Sequence, residues 1–125
     1  MGFFSSKKQI VAPPTISIDA TMETVKARLL FKMLNKGCSL KEDSPMRLVF
    51  EKPSDGSFMT SMLAGEYMEY RTFYTFVIVQ IQSSVNVAAT AEKLRITEHG
   101  PSGSIKLKGI YLGEWLAELK TECSS

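Results

Sequence analysis

The side chains able to do chemistry are few, and their spacing does not assemble a reaction centre. His99 is the single histidine among the 125 residues. It falls in Glu98-His99-Gly100-Pro101, a turn-forming context in which an imidazole usually faces water rather than a metal or a substrate. No C-x-x-C, H-E-x-x-H or EF-hand spacing is present, no G-x-S-x-G presents a nucleophilic serine, and neither G-x-x-x-x-G-K-[ST] nor G-x-G-x-x-G offers a phosphate cradle. Glu66 and Glu69 flank Tyr67, and Glu42-Asp43 lie in an expected hairpin turn. Acid–base catalysis needs two carboxyls in unlike surroundings, whereas turn and strand-end carboxylates usually both face water. Cys38 and Cys123 are too few for a disulfide framework, and both are expected to be free thiols. The reading is therefore of a protein that is not an enzyme, with no cofactor and no metal.

The most unusual local feature is aromatic: Tyr67, Tyr70, Arg71, Phe73 and Tyr74 crowd one segment, with Phe76 just beyond. Aromatic side chains with an arginine are the usual anchors of a protein interface. They are also what a strand uses to fill a core. These five residues are the candidate partner-binding set. A second candidate set, Leu30, Met33, Phe76, Ile78 and Trp115, could instead line a cavity for a small apolar ligand between a helix and a sheet. Methionines at 22, 33, 46, 59, 62 and 68 could make such a cavity adaptable, although filling a core is their ordinary use.

Composition narrows the class. A hydrophobic fraction of 44% with 22% charged residues is that of a folded globular chain, long enough for one core without staples. The net charge is only +2, and the basic residues are scattered, with only Lys7-Lys8 adjacent. Nucleic-acid binders usually concentrate their basic residues, so no nucleic-acid partner is expected. No apolar run approaches the roughly 20 residues of a membrane span, and residues 1–10 lack the charged-then-apolar layout of a secretory signal.

Periodicity supplies the elements. Residues 1–14 read as a flexible tail or tether, with Pro13-Pro14 at its end. A short alternation follows at 15–18. A helix is expected over about 20–36, because Met22, Val25, Leu29 and Met33 recur at helical spacing with Leu30 and Leu34 beside them. Asp19, with Thr21 as the rival, caps its start, and Gly37 stops it. Alternation at 38–42 and 46–51 around Asp43-Ser44-Pro45 predicts a hairpin. Residues 57–65 are ambiguous between a helical turn and an apolar loop lying over the sheet edge. A long strand over 67–82, apolar on both phases and so either central or bulged near Thr75, is followed by a return strand over 85–96 that turns at Ser83-Ser84 and whose change of phase suggests a bulge near Glu92. Residues 98–104 read as a loop. Leu112, Trp115, Leu116 and Leu119 mark a final helix over about 108–122, led in by an extended Ile105 and Leu107. Residues 15–122 thus form a single domain and 123–125 a short tail. The fold class is α+β: a mainly antiparallel sheet of about four to five strands, covered on one face by a long N-terminal helix and a C-terminal helix, in the order β-α-β-β-β-β-α.

That order resembles the helix-grip, or TATA-binding-protein-like, domains of bacterial envelope lipoproteins of the BamC-like kind. The pieces that carry the resemblance are the helix ending in Lys36-Gly37, the strand 46–51, Tyr70-Arg71-Thr72-Phe73-Tyr74 opening the long strand, and the closing 112–119 helix. The resemblance implies a non-enzymatic protein-interaction domain of the cell envelope, on the outer membrane or in the periplasm. It also implies a membrane association made only through a lipid anchor outside this chain. Residues 3–14 then look like the tether from the lipidated cysteine, with Met1-Gly2 in place of the signal segment. If Met1 is instead the native start, the expected address is the cytoplasm.

Overall fold

A computed structural model describes residues 13–53, 68–97, 100–106 and 110–124. In chain order the elements are β1 (Thr15–Ile18), α1 (Met22–Asn35), β2 (Ser39–Ser44), β3 (Arg47–Pro53), β4 (Met68–Ile81), β5 (Ser84–Thr97), β6 (Gly100–Lys106) and α2 (Ile110–Ser124). The strands form one antiparallel sheet in the order β1-β5-β4-β3-β2, with β6 also on β5. This is the expected α+β layout with one strand more.

The additional strand corrects the loop expected at 98–104. β5 runs fourteen residues, but β1 covers its outer edge only from Val85 to Ala88. The rest of that edge would leave ladder N–H and C=O groups without partners, a costly state for backbone inside a fold. β6 folds back onto it, pairing from Glu92 to Thr97. Its composition, Gly-Pro-Ser-Gly-Ser, hid it. The register slips between Arg95 and Ile96, where Gly103 and Pro101 are the successive partners and Ser102 is the extra residue. A bulge is where a strand tolerates proline and glycine.

Of the two alternatives for β4 the structure has the central strand, between β5 and β3; no bulge occurs near Thr75, and the one expected near Glu92 is absent from the β4–β5 ladder. β4 and β5 pair without a slip from Met68↔Thr97 to Ile81↔Ser84. Both phases of β4 are apolar because one faces the helices and the other supplies an open sheet face. A bulge does occur in β2, between Leu40 and Glu42, where it inserts Lys41. Both hairpin turns sit one residue away from their expected positions. The first is Pro45-Met46, and the second is Gln82-Ser83, in which Gln82 adopts φ 56°.

α1 begins at Thr21, the rival cap: its Oγ1 accepts from the Thr24 amide at 3.1 Å. Asp19 instead accepts from Ser84 Oγ at 2.8 Å, tying the β1–α1 corner to the start of β5. At the other end the Gly37 amide donates to Leu34 O and the Cys38 amide to Met33 O, both at 3.1 Å, with Gly37 at φ 87°. That is the six-to-one and five-to-two pattern in which a glycine ends a helix, with Met33 and Cys38 both buried beside it.

The core lies between the helices and one sheet face. Val25, Leu29 and Met33 of α1 and Leu112, Leu116 and Leu119 of α2 meet Ile18, Phe50, Phe76, Ile78, Val85 and Val87 of the sheet in one buried cluster. Cys38, Leu48 and Tyr74 belong to it too, as do Ala89 and Ala91 on β5, whose small side chains suit the close approach of α2, which lies over β1 and β5. Leu34, expected on this stripe, is exposed, as is Phe31. The two helices are clamped by Lys32, whose Nζ reaches Glu118 at 2.6 Å and Glu122 at 3.5 Å, and Lys26 holds α1 to the first hairpin through Asp43 at 3.2 Å.

Candidate functional site

Strand alternation divides the aromatic segment between two faces. Side chains of a strand point alternately to opposite sides of the sheet, so Tyr70, Thr72 and Tyr74 share the helix-covered face and Arg71, Phe73 and Thr75 the open face. The four described residues of the five proposed as a partner surface therefore do not share one face. Tyr67 lies outside the described residues. Tyr74 is only 8% exposed and is a core residue. Its ring packs on Trp115 at 5.3 Å, and burial, helped by a hydrogen bond with Tyr111, pushes its phenol well above the usual range. Tyr70 is on the covered side but beyond the helices, with the Lys93 ammonium 5.0 Å over its ring. Only Arg71 and Phe73 remain on the open face.

Arg71 there belongs to an ion network. Its Nη1 donates to Glu51 Oε2 at 2.6 Å, while Lys41 Nζ reaches Glu51 Oε1 at 3.1 Å. The β2 bulge is what aims Lys41 at Glu51. Glu51 is 6% exposed. Burial by itself would raise its pKa, but the hydrogen bonds from Arg71 and Lys41 outweigh that and hold the carboxyl below the ordinary glutamate value. Beside it, Arg47 and Ser44 both contact Glu42, at 3.7 and 2.8 Å. These charges neutralise one another, and they run along β3 from Glu51 as far as Arg47, the cross-strand neighbour of Val77.

Along β4 itself the same face turns aliphatic from Val77 onward. Val77, Val79 and Ile81 follow Phe73 and Thr75 along β4 and are 42, 37 and 49% exposed. Ala88 and Asn86 pair beside Val77 and Val79, and Met46 protrudes from the neighbouring turn, its carbonyl accepting from the Ile78 amide. Three exposed aliphatic side chains in a row on the sheet face that the helices do not cover are unlike singly scattered surface residues. In the sequence this phase of β4 marks a central or bulged strand and does not by itself distinguish a covered face from an open one. The available signal was that only two helices are expected, both on one face, which leaves the other face of the sheet without a helix.

The second candidate set is placed within the covered layer. Met33, Phe76 and Ile78 are fully buried, with Phe76 edge-on to Phe50 at 5.9 Å, and Leu30 and Trp115 are half-buried around them. His99 lies outside the described residues. Among those described, no three His, Cys, Asp or Glu side chains converge as metal ligands, and no helix is long and apolar enough to cross a membrane. Both cysteines are free, and burial pushes both thiols above their usual pKa, so thiolate chemistry is suppressed.

Comparison with protein-family models, with curated proteins and with solved structures finds no match for this chain.

Proposed function

We propose that the chain is a non-enzymatic protein-interaction domain, of the kind carried by bacterial envelope lipoproteins, that docks another protein on the open face of its sheet. One observation carries the reading: the row Val77, Val79 and Ile81, large aliphatic side chains left in water on the sheet face that the helices do not cover. Burying such a row releases about 25 cal/mol per Å² of apolar surface, a gain realised only against a partner. The ion network that runs beside this row, from Glu51 to Arg47, would set the register of that partner while adding little net affinity, because each carboxylate already has its cation. The resemblance to the BamC-like helix-grip domains, and with it the placement in the envelope, is part of the same proposal.

A photo-crosslinking residue placed at position 79 in cells tests this. A discrete adduct heavier than the chain is expected, abolished by Val77→Glu on the same face and absent when the probe sits at Lys120 on α2. No adduct from position 79, or the same adduct from position 120, would contradict the proposal.

A further inference from the structure

Basic residues that are scattered in sequence meet on a ledge of the covered face. The Tyr74 row meets the start of α2 through Trp115, and in the row beyond it Thr72 is buried between flanking lysines. That row reads Lys52, Thr72, Lys93 across β3, β4 and β5, and the row after it pairs Tyr70 with Arg95. Lys36, at the end of α1, stands at the rim with its Nζ 4.4 Å over the Trp115 ring. Both Lys36 and Lys52 lie close enough to the buried Cys38 thiol to act on it electrostatically. Strands spaced about 4.8 Å put the Lys52 and Lys93 backbones about 10 Å apart, and alternate residues put Arg95 about 7 Å from Lys93. Lys52 and Arg95 are exposed, Lys36 and Lys93 half-exposed. Elsewhere Lys26, Lys32, Lys41, Arg47 and Arg71 each have a carboxylate partner. Among the described residues, no carboxylate lies within ion-pair distance of Lys36, Lys52 or Lys93. α2 also opens its N-terminus on this side, near Tyr111 and Trp115, with no acidic residue in its first turn.

The geometry points to this ledge as a second binding surface, one that takes an extended polypeptide segment rich in aspartate and glutamate. Charge complementarity selects the sign of the partner, and the shape selects its kind. The ledge is a step at the foot of a helix layer about 10 Å thick. A flat bilayer would meet the helix ends first, whereas a single extended chain fits along the step. Single-stranded nucleic acid needs bare ring faces on which bases stack. Here an ammonium group already lies over the rings of Tyr70 and Trp115. Flexible lysines offer point charges that a row of carboxylates can share without fixed bidentate geometry. The ledge lies on the opposite side of the sheet from the Val77–Ile81 row, so the two surfaces stand or fall separately.

The test is fluorescence anisotropy with a labelled oligoglutamate peptide and the full chain, beside an oligothymidylate of equal charge and phosphatidylglycerol vesicles. The oligoglutamate is expected to bind at about 50 mM salt and to weaken steeply at about 500 mM, as screened surface charge requires. Lys52→Glu and Lys93→Glu are each expected to weaken it by about tenfold, and Lys120→Glu to leave it unchanged. Lys52→Ala, which only removes a surface charge, is expected to give a smaller loss with an unaltered circular dichroism spectrum. The inference is overturned by absence of oligoglutamate binding, by tighter binding of oligothymidylate or vesicles, or by an equal loss in Lys120→Glu.

Discussion

Glu51 shows how one side chain ties local structure to stability. It sits in β3 on the uncovered face, yet the bulged Lys41 on one side and Arg71 on the other enclose it. Its folded pKa lies below the ordinary value of 4.5. The pairing therefore stabilises the fold in full above the unfolded pKa and is lost as pH falls through the folded one. Denaturant melts across that range are expected to show stability declining below about pH 4.5, and Glu51→Gln is expected to be less stable at pH 7 with a flatter acid limb. A residual slope will persist, because Lys32 lowers the Glu118 pKa in the same direction. A variant as stable as the parent at pH 7, with an unchanged acid limb, would show that Glu51 is not held by its two cations. Little of this was legible in the sequence. Glu51, Arg71 and Lys41 are far apart in the chain, and their meeting depends on a bulge that no residue type announces.

At the scale of the elements, the legible part was whatever rests on nearest-neighbour chemistry. α1 was readable from Val25, Leu29, Met33 and the glycine that stops it, and α2 from its leucines, because a helix records its buried face in a local period. The cap was ambiguous for a physical reason: Asp19 and Thr21 are both good acceptors, and the choice turned on Ser84, a distant residue that engages Asp19. Thr21→Ala is expected to cost about 1 kcal/mol in chemical denaturation through the lost Thr24 contact. Asp19→Ala should instead loosen the β4–β5 hairpin turn, seen as faster amide exchange at Ser84 with smaller change in α1. The opposite assignment of effects would restore Asp19 as the cap. β6 escaped notice because its strand character comes from the uncovered edge of β5 rather than from Gly-Pro-Ser-Gly-Ser.

For the whole molecule, the organising fact is an antiparallel sheet with unequal faces. The layer order was legible, since two amphipathic helices and a run of turn-linked strands leave few other ways to bury their stripes. Which strand residues face outward was not, because β4 is apolar on both phases and only pairing reveals which phase the helices cover. The candidate sites follow from that division. The aromatic set split across the sheet, with Tyr74 drawn into the core, while the aliphatic row and the lysine ledge emerged from residues that pattern alone assigned to core and solvent.

The unequal faces can be tested without mutation by methyl NMR of the full chain with a soluble paramagnetic agent. The account predicts strong relaxation of the Val77, Val79 and Ile81 methyls and protection of those of Ile18, Ile78, Val85 and Val87. Protection of Val77 and Val79 in the monomer, or exposure of Val85 and Val87, would contradict it.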